Sequence, residues 1–188
     1  MIGNLPNSLI VGGMDYGINS DFRAALTVFV ALGDAGLSAL NKRLTMLEII
    51  YTPIGADEPV IPPDFEEAER QAVWFLDVGQ ERKNDREHHI KTIDYKQDEQ
   101  LLFSAVNAVF ARDIREEPYL HWWTFYGLCQ AIDSESIISV VSGIRYKKGK
   151  YEKLEKHEER FYAENRHLVD FKTSGDEYEA MVRQLRGG

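Results

Sequence analysis

The run His121-Trp122-Trp123-Thr124-Phe125-Tyr126, set just after Pro118 and continued by Leu128 and Ile132, constrains this chain more than any other feature. A helix that is apolar around most of its circumference has no side left for solvent, so other elements must enclose it. The rest of the sequence supplies mostly helices for that purpose. Phe22, Leu26, Phe29 and Val30 recur at helical spacing until Gly33, with Ser20 as predicted N-cap and Asp21 in the first turn. Leu40, Leu44, Leu47 and Ile50 repeat the pattern before Thr52-Pro53. Asp64, after Pro62-Pro63, caps a third predicted helix with Phe65, Ala68, Ala72 and Phe75 facing inward. The firmest periodicity comes next: Leu101, Leu102, Ala105, Val106, Val109 and Phe110 on one side, and Asp98, Glu99 and Asn107 on the other. Asp133 and Ser134 are the predicted caps of a helix through Ile137, Ile138, Val140 and Val141, with Gly143 as its end or a weakened turn.

Ahead of these helices, Leu9-Ile10-Val11, Gly12-Gly13 and Met14 to Ile18 predict a hairpin over residues 9–18. Two strands alone are marginal, so the ribbon needs a helical surface beneath it. The expected fold class is therefore mainly α, a compact helical bundle with a small N-terminal β-hairpin. Its candidate core is Phe22, Leu26, Phe29, Leu102, Val106, Phe110, Trp122, Trp123, Phe125 and Tyr126. With 188 residues, 44% of them hydrophobic, the chain is long enough to bury one core without disulfides or metals, and a single helical domain over residues 1–170 is the expectation. From about 146 to 170 Lys, Glu, Arg and Tyr dominate, which predicts one long charged helix. Its sparse apolar points, Tyr151, Leu154, Phe161, Tyr162 and Leu168, form a narrow seam either packed at an edge or offered to a partner. Residues 171–188 read as a partly mobile tail.

The formal net charge of -9 repels a polyanion, so nucleic-acid binding is disfavoured. Lys147, Lys148, Lys150, Lys153 and Lys156 alternate with Glu152, Glu155, Glu158 and Glu159, a pattern of ion pairs along a solvated helix and not an RNA-binding face. Cys129 is the only cysteine and lies among Tyr126, Leu128 and Ile132, the setting of a buried thiol. His88 and His89 are adjacent in the polar stretch from Gly79 to Lys91, a spacing that does not put two metal ligands on one helix face. His121, at the start of the aromatic helix, reads as a packed ring with a nitrogen bonded to backbone. No Gly-rich phosphate loop is present. No cofactor, metal or catalytic residue is expected. Met1 to Pro6 lacks the form of a signal peptide and no stretch reaches the ~20 apolar residues of a membrane span, so the expected location is the cytoplasm.

Taken together, Asp21-Phe22-Arg23, Glu99-Gln100-Leu101-Leu102-Phe103, His121-Trp122-Trp123-Thr124-Phe125 and Gly143-Ile144-Arg145 resemble the bacteriophage Gp-fifteen protein family over roughly residues 9 to 170. The resemblance implies a product of the tail-module region of long-tailed phages and prophages, made in the cytoplasm of the bacterial host. It further implies a non-enzymatic tail assembly chaperone that binds the hydrophobic helical tape-measure protein before the tail tube polymerises, with the tail-tube protein as a second partner and a homo-oligomer as a further expectation. Two alternatives stand beside it: a minor structural component retained in the tail or connector, and a small enzyme or nuclease accessory working through His121 or the His88-His89 loop.

Overall fold

A computed structural model describes residues 3–80 and 90–172. It is mainly helical with a small antiparallel hairpin. The order is β1 (Ser8–Val11), β2 (Met14–Gly17), α1 (Phe22–Gly33), α2 (Ala39–Ile50), α3 (Phe65–Leu76), α4 (Glu99–Phe110), a single 3-10 turn (Ile114–Glu116), α5 (Trp122–Gln130), α6 (Ile137–Gly149), α7 (Lys156–Glu164) and α8 (Arg166–Val169). Where chain length suggests one core, the described residues gather into two compact units. Unit 1 holds residues 3–80 and 106–132, and unit 2 holds residues 90–105 and 133–172, with the boundary falling inside α4.

In unit 1 the hairpin pairs Ser8 with Gly17 through Val11 with Met14, and Gly12 and Gly13 take the positive φ that its turn demands. Leu9 and Val11 are buried, and the Gly12 N–H donates to the Glu67 carboxylate of α3 at 2.7 Å. The helix beneath the ribbon is thus α3. On α1 the buried face is Phe22, Ala24, Ala25 and Val28, rotated from the predicted stripe: Leu26 and Phe29 are half-buried and Val30 is exposed. Small alanines let α1 approach its neighbours, a choice that a count of large apolar residues does not see. Likewise Leu40 and Phe65, expected inward, are exposed, while Met46, Leu47 and Ile50 of α2 and Ala68, Ala72 and Phe75 of α3 are buried. Leu102, Val106, Trp122 and Phe125 are buried as predicted, and Phe110, Trp123 and Tyr126 are half-buried.

Unit 2 corrects three expectations. Gly143 neither ends nor weakens α6, which continues to Gly149, and the cap is Ser136, whose hydroxyl accepts from the Ser139 N–H. Residues 146–170 are not one helix. The α6 end is closed by a paired motif in which the Tyr151 N–H donates to the Lys148 carbonyl and the Glu152 N–H to the Lys147 carbonyl, with Tyr151 at φ 57°. Such a stop is ordinarily marked by glycine, so a tyrosine there hides it in the sequence. The chain then restarts at α7, where the Glu158 carboxylate accepts from the Glu155 N–H at 2.8 Å. Several charges between 146 and 170 consequently pair between elements: Lys147 with Glu158 and Lys148 with Asp170, each at 2.7 Å.

Tyr151 is 97% exposed, so no packing offsets its left-handed backbone. Tyr151→Gly is expected to raise stability by about 1 kcal/mol in urea denaturation; unchanged or lowered stability would show that the tyrosine ring has a folding role.

Candidate functional site

The motifs most distinctive in the sequence meet in pairs. In unit 1, Asp21 and His121 form an isolated antiparallel bridge, with the Phe22 N–H donating to the Leu120 carbonyl at 2.9 Å and the Trp122 N–H to the Ser20 carbonyl at 2.8 Å. Each is also the N-cap of its helix. The Asp21 carboxylate accepts from the Arg23 N–H, correcting the expected Ser20 cap, and His121 Nδ1 accepts from the Trp123 N–H at 3.0 Å. Arg23 donates from Nη2 to the carbonyls of Arg115 and Glu117 and lies 4.5 Å over the Phe22 ring, which stacks on Phe125 at 4.5 Å. The two tryptophans reach the end of α3: Trp122 Nε1 donates to the Leu76 carbonyl at 3.0 Å and Trp123 Nε1 to the Phe75 carbonyl at 2.8 Å. These carbonyls belong to the last turn of a helix, where intrahelical donors run out.

His121 bonds through both nitrogens. With Nδ1 accepting, the proton sits on Nε2, which donates to the Pro6 carbonyl at 3.0 Å. Burial holds the imidazole pKa below its ordinary value, the bond to Pro6 opposing this. A base with a depressed folded pKa contributes stability that is fully present above 6.5, its unfolded value, and is lost as pH falls through the folded value. Stability is expected to drop with acidification below about 6.5, by up to ~1.4 kcal/mol per pH unit. His121→Asn keeps a capping oxygen without a titrating proton and should flatten that slope. Equal slopes in the two proteins would mean that other groups govern the acid response.

In unit 2, Arg145 of α6 and Asp98 before α4 are 4% and 1% exposed. Arg145 uses its whole donor set: Nε to the Val169 carbonyl at 2.7 Å, Nη1 to Thr92 O and Asp98 Oδ2, and Nη2 to Asp98 Oδ1 and Leu168 O. The Phe171 ring lies 4.2 Å from the guanidinium carbon. Beside this pair, Val141, Ile144 and Val169 form a buried cluster against which Leu154, Phe161, Tyr162 and Leu168 pack. Four of the five seam residues are therefore occupied within the chain, and Tyr151 alone stands in solvent.

Cys129 is partly buried, and burial pushes its thiol up to about 12, so a thiolate is scarce at neutral pH. Among the described residues no three His, Cys, Asp or Glu side chains gather where they could hold a metal ion. His88 and His89 lie outside the described residues.

Unit 1 carries a shallow, open groove of about 370 Å³ lined by Asn7, Ile18, Ser20, Pro53, Ile54 and Tyr119. The Ser20 hydroxyl at its floor donates to Asn7 Oδ1 at 2.9 Å and lies 2.9 Å from the Tyr119 hydroxyl, so the polar lining is satisfied internally. Ile54 is 58% exposed at the lip, on a loop tied by Ala56 N–H to Pro53 O at 2.9 Å and Val60 N–H to Tyr51 O at 2.8 Å. Further apolar side chains stand out from unit 1, among them Ile10, Met14, Leu40, Val60 and Phe65. The sequence offers two partner faces, the C-terminal seam or a groove beside the helix of Trp122 and Trp123; the groove described here depends on three distant stretches meeting.

The chain is thus a mainly helical protein whose most distinctive residues tie helix ends together. A family model described as Bacteriophage Gp15 protein matches residues 1–170, and the chain belongs to that phage protein family. Neither the curated proteins nor the solved structures include a match to it. No helix among the described residues is long and apolar enough to cross a membrane.

Proposed function

We propose that the protein is a non-enzymatic tail assembly factor, a chaperone that holds the tape-measure protein in the host cytoplasm before the tail tube forms around it. Membership of a phage family supports the setting. The observation that carries the reading is the set of large apolar side chains left in solvent on unit 1, including Ile10, Leu40, Ile54, Val60 and Phe65. Such groups are available to contact the apolar stripe of a long helical client. The tail-tube protein is a second candidate partner.

Co-expression with the tape-measure protein of the same phage, followed by affinity capture and sizing, tests this. A soluble stoichiometric complex, with the chain absent from purified tails, is the expected result. An insoluble tape-measure protein together with this chain in purified tails would replace the chaperone by a minor structural component of the tail or connector.

A further inference from the structure

Charge is divided unevenly along this chain. The described residues of unit 1 carry fourteen Asp and Glu against six Lys and Arg, a net of -8, whereas those of unit 2 carry eleven of each, a net of 0. The exposed apolar residues follow the same division: Ile137, Tyr146 and Tyr151 are the large ones on unit 2, and the others fall on unit 1. Apolar surface and negative potential therefore coincide.

Both occur in the loop that contributes Ile54 to the groove. Its lip residue Ile54 is followed in the same loop by Asp57 and Glu58, both exposed, and neither is paired with a described cation. Neither lies in a helix, so no helix N-terminus accounts for their charge. Across the groove stands Tyr119, 42% exposed, a flat apolar face whose hydroxyl already has Ser20 as its partner. The groove has room for an apolar side chain, and its apolar wall is Ile18, Pro53, Ile54 and the Tyr119 ring.

We propose that this groove is the docking site for a basic polypeptide segment of a partner protein, with one apolar side chain anchored between Ile54 and Tyr119 and flanking Lys or Arg residues facing Asp57 and Glu58. The anchor contributes affinity by leaving water, and the carboxylates select positive over negative segments and hasten the encounter. The inference deepens the assembly reading, and rests on it only in taking the partner to be a protein client.

The full chain is titrated with three synthetic peptides: one with leucines spaced among lysines, its counterpart with glutamate for lysine, and its counterpart with serine for leucine. Binding of the first, about tenfold or more tighter than of either other and weakened by raised salt, is the expected result. Asp57→Lys with Glu58→Lys, and separately Ile54→Ser, change exposed positions and should each weaken the first peptide by about tenfold, with melting temperatures near that of the parent. Equal binding of the lysine and glutamate peptides, undiminished binding by the variants, or no binding by the parent protein overturns the proposal. Self-association of the parent that the same variants abolish would assign the groove to a second copy and overturn it too. The variants also separate this inference from the assembly reading. A tape-measure complex that forms normally with the charge-reversed protein removes the groove and leaves the chaperone, whereas peptide binding without any tape-measure complex does the reverse.

Discussion

Arg145→Met is expected to lower stability by about 3–5 kcal/mol, because it removes the cation that pairs with a carboxylate 1% exposed. The methionine also abandons the carbonyls of Thr92, Leu168 and Val169, which the guanidinium had satisfied together with Asp98. Asp98→Asn should cost less. Its amide oxygen still accepts from Arg145, and the three carbonyls keep their donor. Arg145→Lys should resemble the methionine more than the parent, since an ammonium cannot reach acceptors arranged for a planar fork. The loss can be located as well as measured. Trp74, Trp122 and Trp123 all lie in unit 1, so tryptophan fluorescence follows that unit while far-ultraviolet dichroism follows both. For Arg145→Met, helix content lost at lower urea than the fluorescence change places the damage in unit 2. A total loss below about 1 kcal/mol would mean that the pair is hydrated in solution and not buried.

Three of the four sequence fragments that resemble the phage family, those holding Asp21, His121 and Arg145, have a common physical role. Asp21 and His121 bridge two helix starts, and the residues after them stack and cap across the junction. Arg145 gathers the ends of separate segments in unit 2. These are positions where one side chain serves several backbone groups at once, and few residue types can replace it. A local window can recognise such a residue as unusual. It cannot say which carbonyls the residue reaches, because Leu76 and Trp122, or Arg145 and Thr92, lie far apart in sequence.

Helix existence was legible for the same reason in reverse. Periodicity is local, and α1 through α6 all fall where apolar spacing or a capping residue puts them. What was not legible depended on backbone states or long-range choices. Tyr151 closes α6 in a conformation that its residue type does not advertise, so one charged helix was expected where three segments stand. Ala24 and Ala25 take the buried side of α1 that size alone would assign to Leu26 and Val30. Leu154, Phe161, Tyr162 and Leu168 are not the stripe of one helix but come from a loop, α7 and α8, and they pack against Val141, Ile144 and Val169 of the same unit.

The two tryptophans test how far the aromatic run is a core and how far a clamp. Trp122 is 3% exposed and packs on Phe29, Phe125 and Tyr126, with ring centroids 5.6, 6.0 and 5.9 Å away. Trp122→Ala leaves a large cavity among these rings and is expected to cost about 3–5 kcal/mol. It also strips the Leu76 carbonyl of the indole that serves it. Trp123 is half-buried, its ring set against Trp74, Phe75 and His121. The carbonyl it serves, Phe75 O, keeps a second donor in the Val78 N–H at 3.1 Å. Trp123→Ala should therefore cost only about 1–2 kcal/mol, a partial loss of area and stacking with no orphaned acceptor. Trp122→Phe divides the larger effect. It retains most of the buried ring and loses the hydrogen bond, so a cost of about 1–3 kcal/mol measures the clamp on α3 and the remainder measures packing. Small and equal losses for the two alanine variants would mean that the aromatic helix does not organise unit 1, and the junction of Asp21 with His121 would have to hold it alone.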